Sequence, residues 1–160
     1  MNMDKSKILN LIINQLRADL SVLEQAVEIA RDTATHADCL GSSKYETMGL
    51  EASYLAQGQG TRLLAVERSL VWFKSLECTE PTSTIALSSL VDLVDDTGDS
   101  QMLWLAAEAG GLKVRYAEME ITIVTTRSPL GRALIGKEAG DDLQINIAGN
   151  SRHYEIHSVY

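Results

Sequence analysis

Two rows of apolar residues in the first half of the chain step by threes and fours, and one row mirrors the other. The first row is Leu9, Ile12, Leu16, Leu20, Leu23, Val27, Ala30 and Ala34. The second is Met48, Ala52, Leu55, Gln59, Leu63, Val66, Leu70 and Phe73. Steps of this kind mark the seam of a coiled coil, with doubled four-steps as local stutters. Folded back on each other, the rows match when Leu16 opposes Leu63, Val27 opposes Ala52 and Leu9 opposes Leu70. The expected structure is an antiparallel helical hairpin. Its arms run over about 4–35 and 45–75, each roughly 45 Å long at 1.5 Å per residue.

The turn of this hairpin falls in THADCLGSSKY, residues 35–45, where Gly41 and its polar neighbours break the helix. Asp38 is thereby placed at the tip. The second arm has a soft spot at AQGQG, residues 56–60. Gln59 is a polar seam residue, which lowers stability and fixes register. Gly58 and Gly60 each cost about 1 kcal/mol relative to alanine in a helix interior.

Charge and texture change together near residue 78. Residues 1–77 hold 8 Lys/Arg and 10 Asp/Glu, whereas residues 78–160 hold 6 and 12. The stretch CTEPTST, 78–84, reads as a linker, which divides the chain into a hairpin domain, 1–77, and a second domain, 78–160. In the second domain, 84–94, 101–109, 112–116 and 120–126 read as strands separated by glycine turns. Ser128 is a helix N-cap and Pro129 suits the first helical position. Gly136 is a natural stop for that helix. LQINIA and HYEIHSVY form two last strands joined at Gly149-Asn150. The fold class is α+β: the hairpin, then a small antiparallel sheet with one short helix. On the last strand, His153 and His157 are expected to face solvent.

The overall charge of −8 argues against broad binding to a DNA duplex. No run of 18 apolar residues suggests a membrane span, and the start, MNMDKSKILN, lacks the features of a secretory signal. The two cysteines, Cys39 and Cys78, are expected as reduced thiols of a cytoplasmic protein. His36, Asp38 and Cys39 make a poor metal site without a fourth ligand.

The segment SPLGRALIGKEAGDDLQINIAGNSRHYEIHSVY resembles the C-terminal domain of the Gre transcript-cleavage factors, the GreA/GreB family. That family shows S-P-[IL]-x-R-A-L-[IL]-G-K, an acidic Gly-Asp turn and two strands ending in Tyr-Glu-Ile. The matches are Ser128, Pro129, Leu130, Arg132, Ala133, Leu134, Ile135, Gly136 and Lys137, then Gly140, Asp141, Tyr154, Glu155 and Ile156. The resemblance implies an FKBP-like second domain that docks at the secondary channel of bacterial RNA polymerase, with the hairpin reaching towards the active centre. It implies docking through Arg127, Ser128, Pro129 and Leu130. It implies no catalysis of the chain's own, only stimulation of cleavage by the polymerase. The cofactor would be a magnesium ion shared with the polymerase, and the tip would lie near the RNA 3′ end. The FKBP-like fold also raises prolyl isomerisation, but that activity needs an aromatic-lined pocket that Trp104, Tyr116, Tyr154 and Tyr160 hardly supply.

The family tip reads approximately H-G-D-L-x-E-N-x-E-Y, and here it is H-A-D-C-L-G-S-S-K-Y. His36, Asp38 and Tyr45 keep their places, Gly41 replaces the second acid, and Lys44 replaces the glutamate before the tyrosine. Asp38 is then the one tip carboxylate available to a metal. The expected function is polymerase binding with cleavage stimulation weakened or lost. The alternatives are an active cleavage factor that rescues backtracked polymerase, or a coiled-coil adaptor that does not bind polymerase.

Overall fold

In a computed structural model of the chain the described residues are 3–38, 43–77 and 82–160, with side chains of 34–56 outside that description. The expected linker overlaps 78–81, which also lie outside it. The chain divides into two compact units, residues 1–12 with 72–160, and residues 13–71.

The helical part consists of α1, Lys5–Asp38, and α2, Ser43–Lys74. Both extend nearer the turn than the sequence suggests. Among the seam residues of α1, Leu16, Leu23, Val27 and Ala30 are buried. On α2, Leu63 and Val66 are only half-buried. Leu63 lines a groove together with Val27, whereas the expected register sets it opposite Leu16. The sequence pattern fixes which face of each helix turns inward. It does not fix the sliding of one arm along the other, especially where Gly60 contributes no side chain. Ala52, the expected partner of Val27, is among the residues whose side chains are not described.

The remaining elements are β1 Leu90–Asp95, β2 Ser100–Ala106, β3 Lys113–Tyr116, β4 Met119–Thr125, α3 Pro129–Leu134, β5 Asp142–Ile147 and β6 Asn150–Val159. They form one six-stranded sheet in the order β3-β4-β2-β1-β6-β5. Its pairs are antiparallel except β2 with β4, which run parallel, Met102 opposite Ile121 and Trp104 opposite Ile123. The expectation of an antiparallel sheet is amended at that pair. The β3–β4 hairpin lies beyond β2 and inserts its second strand next to it, so the neighbour is not the next strand in sequence. The first strand also begins later than expected, at Leu90 rather than 84. Ser88, at φ 72, bends the chain, and 84–85 instead pair with the segment after α3: Thr84 bridges Glu138 and the Ile85 amide donates to the Lys137 carbonyl at 2.8 Å.

Strand alternation gives the sheet two apolar faces. Val91, Leu93, Leu103, Leu105, Leu143, Ile145 and Ile156 share one core with Ile85 and with Leu134 of α3. The opposite face carries Leu90, Met102, Trp104, Ile121 and Ile123, all buried. The start of α1 reaches this face. The Lys5 ammonium lies 5.4 Å from the centroid of the Trp104 ring and donates to the Tyr160 carbonyl at 3.2 Å. Among the described residues the buried Trp104 indole N–H has no hydrogen-bond partner, a desolvation cost accepted for the area the ring buries.

Local chemistry sets the connections. In the β1–β2 turn, Asp95 accepts from the Thr97 hydroxyl at 2.6 Å and from the Thr97 and Asp99 amides at 2.9 Å each. The Thr97 hydroxyl, aided by these amides, holds the Asp95 carboxyl below the usual carboxylate range. The β5–β6 hairpin turns on Ala148 and Gly149, at φ 51 and φ 80, one residue earlier than Gly149-Asn150. Positive φ at both central positions is what a tight hairpin requires. The β1–β6 ladder shifts register between Asp92 and Leu93, opposite His157. His157 is exposed and lies 3.4 Å from Asp92. No described helix is long and apolar enough to cross a membrane.

Candidate functional site

The segment around α3 is assembled by its own sequence. Ser128 is extended, at φ −73 and ψ 155, and its hydroxyl accepts from the Gly131 amide at 3.0 Å. The same hydroxyl donates to the Thr125 carbonyl at 2.8 Å, which ties the helix start to the end of β4. Pro129 follows at a position where its missing N–H removes no bond. A Cβ at Gly131 would stand 1.9 Å from the Thr125 carbonyl oxygen, so glycine is what lets α3 begin this close to the strand. At the other end Ile135 caps the helix by donating to the Gly131 carbonyl at 3.2 Å. Gly136, at φ 81, then turns the chain and donates to the Ile85 carbonyl at 2.9 Å.

The four expected docking residues fall on this segment but do not present alike. Pro129 and Arg127 are exposed, Ser128 and Leu130 half-buried. Leu130 packs against the core that contains Leu134. Arg127 folds back onto the loop after β2, donating to the Ala107 carbonyl at 3.2 Å, with Glu108 at 3.8 Å. Its guanidinium therefore links the β2 and β4 ends. Two exposed apolar residues nearby, Leu87 and Ile135, escape a reading of the sequence. The run RALIG gives Ile135 the look of one more residue of an apolar helix face. The tertiary bonds of Ile85 with Gly136 and Lys137, with the Thr84–Glu138 bridge, place the two loops side by side.

At the hairpin end, Asp38 is the last residue of α1, and α2 resumes at Ser43. Lys44 and Tyr45 lie in the first turn of α2. Cys39 and Gly41 lie outside the described residues, as do the side chains of His36 and Asp38. Among the described residues, no three His, Cys, Asp or Glu side chains are grouped as a metal site.

The family model for the C-terminal region of the transcription elongation factors GreA and GreB matches residues 80–160, the whole of the sheet and α3. The chain belongs to the GreA/GreB family. Relatives extend the likeness across the hairpin. Transcription elongation factor GreA of Ruegeria pomeroyi is 25% identical over 149 residues, covering 90% of each chain. GreA of Paracoccus denitrificans is 29% identical over 147 residues, covering 91% of this chain and 88% of its own. Among solved structures, the chain is similar to GreA factor homolog 1 of Thermus thermophilus. That likeness has 23% identity, covers 92% of this chain and 94% of the other, and has a TM-score of 0.38. As a member of the GreA/GreB family the chain is a transcription elongation factor, with no catalysis of its own.

Proposed function

We propose that this GreA/GreB-family factor binds the secondary channel of bacterial RNA polymerase, and that it stimulates transcript cleavage weakly or not at all. The observation that carries the second part is the tip sequence HADCLGSSKY, which has Asp38 but a glycine, Gly41, where the family has its second acid. A second magnesium ion at a phosphodiester needs several oxygen ligands in octahedral geometry, and magnesium is held by carboxylates together with substrate oxygens. Asp38 is the residue that would contribute one such oxygen. Glycine contributes none from a side chain. The donor set of this tip is therefore half that of the family pattern.

Docking is supported by the preserved SPLGRALIGK segment and by the caps and strand contacts that hold it in shape. Reach is supported by two helices of 34 and 32 residues, each about 50 Å long at 1.5 Å per residue. In this reading the tip lies near the RNA 3′ end, the working compartment is the cytoplasm with the polymerase, and there is no sequence-specific DNA binding.

The test is a cleavage assay on a stalled, backtracked elongation complex beside a standard GreA. Wild type should cleave much more slowly than the standard. Gly41→Glu should raise cleavage, Asp38→Ala in that background should abolish the gain, and Gly41→Gln should not reproduce it. The Gln control separates charge from the helix propensity gained when glycine is replaced. Wild-type cleavage at the standard rate would favour the active cleavage factor, and absence of polymerase binding would favour the adaptor. Replacing Ser128 and Pro129 together should weaken polymerase binding while residues 1–77 keep their helicity.

A further inference from the structure

The sheet has two edge strands, β3 and β5, and they are protected differently. An unpaired strand edge is a template for another strand, and charged side chains are a common guard against that. In a two-residue hairpin the residues flanking the turn bond each other, so every second residue along the edge strand turns its amide and carbonyl outward. On β3 the turn is Ala117-Glu118, and Tyr116 and Val114 bond β4, which leaves Lys113 and Arg115 facing outward. A second β3 laid antiparallel there would set Lys113 against Arg115, like charge against like.

Strand β5 has no lysine, arginine or proline. Its hairpin turns on Ala148 and Gly149, so Ile147, Ile145 and Leu143 bond β6. The bulge before β5 has the same phase: the Ile156 amide donates to the Asp141 carbonyl at 2.9 Å, and the Gly140 amide donates to the Ile156 carbonyl at 2.7 Å. Asp142, Gln144 and Asn146 therefore turn their amides and carbonyls outward, and all three residues are exposed. Among the described residues no hydrogen bond reaches those outward backbone groups. The Gln144 side chain donates to the Ser151 hydroxyl on β6, away from the free edge.

The stretch DLQIN, 142–146, reads nearly alike from both ends: acid and amide outside, Leu and Ile next, Gln in the centre. We infer that β5 pairs antiparallel with β5 of a second copy of this chain, about a two-fold axis at Gln144. In that register Gln144 faces Gln144, Asp142 faces Asn146, and Leu143 stands beside Ile145 of the second copy. Every outward residue meets an outward residue, and each such pair exchanges two N–H···O bonds. Asp142 meets an amide instead of another carboxylate. Any other centre leaves an outward residue without a partner, and centring on Asp142 also opposes two carboxylates. A strand from another protein would have no need of this self-match. The contact is the same patch on both copies and closes as a dimer. It is a small interface, and a charge of −8 on each copy opposes it, so the dimer forms at high protein concentration and gains from salt.

Sedimentation equilibrium of the full chain tests the pairing. The population should shift from monomer to dimer with concentration, and added salt should strengthen the dimer. Asn146→Asp sets carboxylates against each other on both sides of the axis and should weaken dimerisation roughly tenfold. Adding Asp142→Asn to that variant restores the match of acid with amide and should recover the dimer. Cross-linking reads the register. With Cys39→Ser and Cys78→Ser in place, Gln144→Cys should form an intermolecular disulfide, because the Cα atoms of a bonded antiparallel pair lie about 5.5 Å apart. Asn146→Cys, exposed on the same strand, should not, because the two copies of that residue lie about 14 Å apart in this register. A chain that stays monomeric at millimolar concentration overturns the inference. So does equal cross-linking at the two positions, failure of Asp142→Asn to recover the dimer, or growth beyond a dimer, which marks a head-to-tail contact.

Discussion

At Ser128 one hydroxyl both accepts from the Gly131 amide and donates to the Thr125 carbonyl. At Gln59 a side-chain carbonyl oxygen is buried with no partner among the described residues. The contrast runs through the two units. In the sheet unit, strand ladders, a capped helix and a shared core constrain each residue from several sides. In the hairpin unit a residue answers mainly to one seam. Where many bonds converge, substitution is costly and a long family motif survives. Where one seam is the only demand, a polar seam residue, two glycines and an altered tip are compatible with the same helices.

The largest effect should come from the sheet core. Ile156 is fully buried and shares its core with Leu93 and Leu134. Ile156→Ala should cost about 3–4 kcal/mol, because strands on both sides prevent the cavity from closing. Urea denaturation, with the packing around buried Trp104 read by near-ultraviolet circular dichroism, measures it. Leu16→Ala in the hairpin should cost less, about 2–3 kcal/mol. Leu16 is buried, but the inward residues Leu63 and Val66 of the other arm are only half-buried, so the seam as a whole is less filled and has room to collapse. Equal costs would mean that the seam is packed as tightly as the sheet core, and the contrast would be lost.

The sequence shows the two units unequally for the same reason. The helix at Pro129–Leu134 is legible because Ser128, Pro129 and Gly136 each have a local physical role that no other element needs to supply. Both long helices are legible from period alone. The parallel pairing of β2 with β4 is not, since nothing in MLWL or ITIV states which strand will be the neighbour. Nor is the bend at Ser88, which turns an apparently continuous strand into a bridge and a turn. Among the site residues, Pro129 is exposed as the motif suggests. The engagement of Arg127 with Ala107 and Glu108 depends on a loop 20 residues away. The tip's departure from the family pattern is legible in the letters themselves. The register of the arms above it is not, because equal heptads permit sliding.

A smaller effect tests the cap. Ser128→Ala removes the acceptor for the Gly131 amide and should cost about 1 kcal/mol. The Thr125 carbonyl keeps the Ser128 backbone amide at 3.1 Å, which limits the loss. Chemical denaturation gives the stability term. A polymerase-binding assay then shows whether docking falls further than the lost stability explains. A loss as large as that of Ile156→Ala would show that α3 holds the whole sheet unit together.

The smallest effect has the opposite sign and lies in the hairpin. Gly58 sits inside α2, and a Cβ built there would meet nothing within 4 Å among the described residues. Alanine at that position lowers the backbone entropy of the unfolded chain and places a methyl group in open space. Gly58→Ala should therefore raise stability by roughly 0.5–1 kcal/mol. The same change at Gly131 meets a carbonyl oxygen at 1.9 Å and should destabilise the sheet unit, so the two glycines carry the contrast between the units in a single pair of variants. Thermal melting of Gly58→Ala, followed by helix signal, is the measurement. A fall in stability would mean that the arms touch at Gly58. The hairpin would then be closed where it reads as open, and the room left along α2 would be a packing requirement of the coil instead of a space that the coil leaves free.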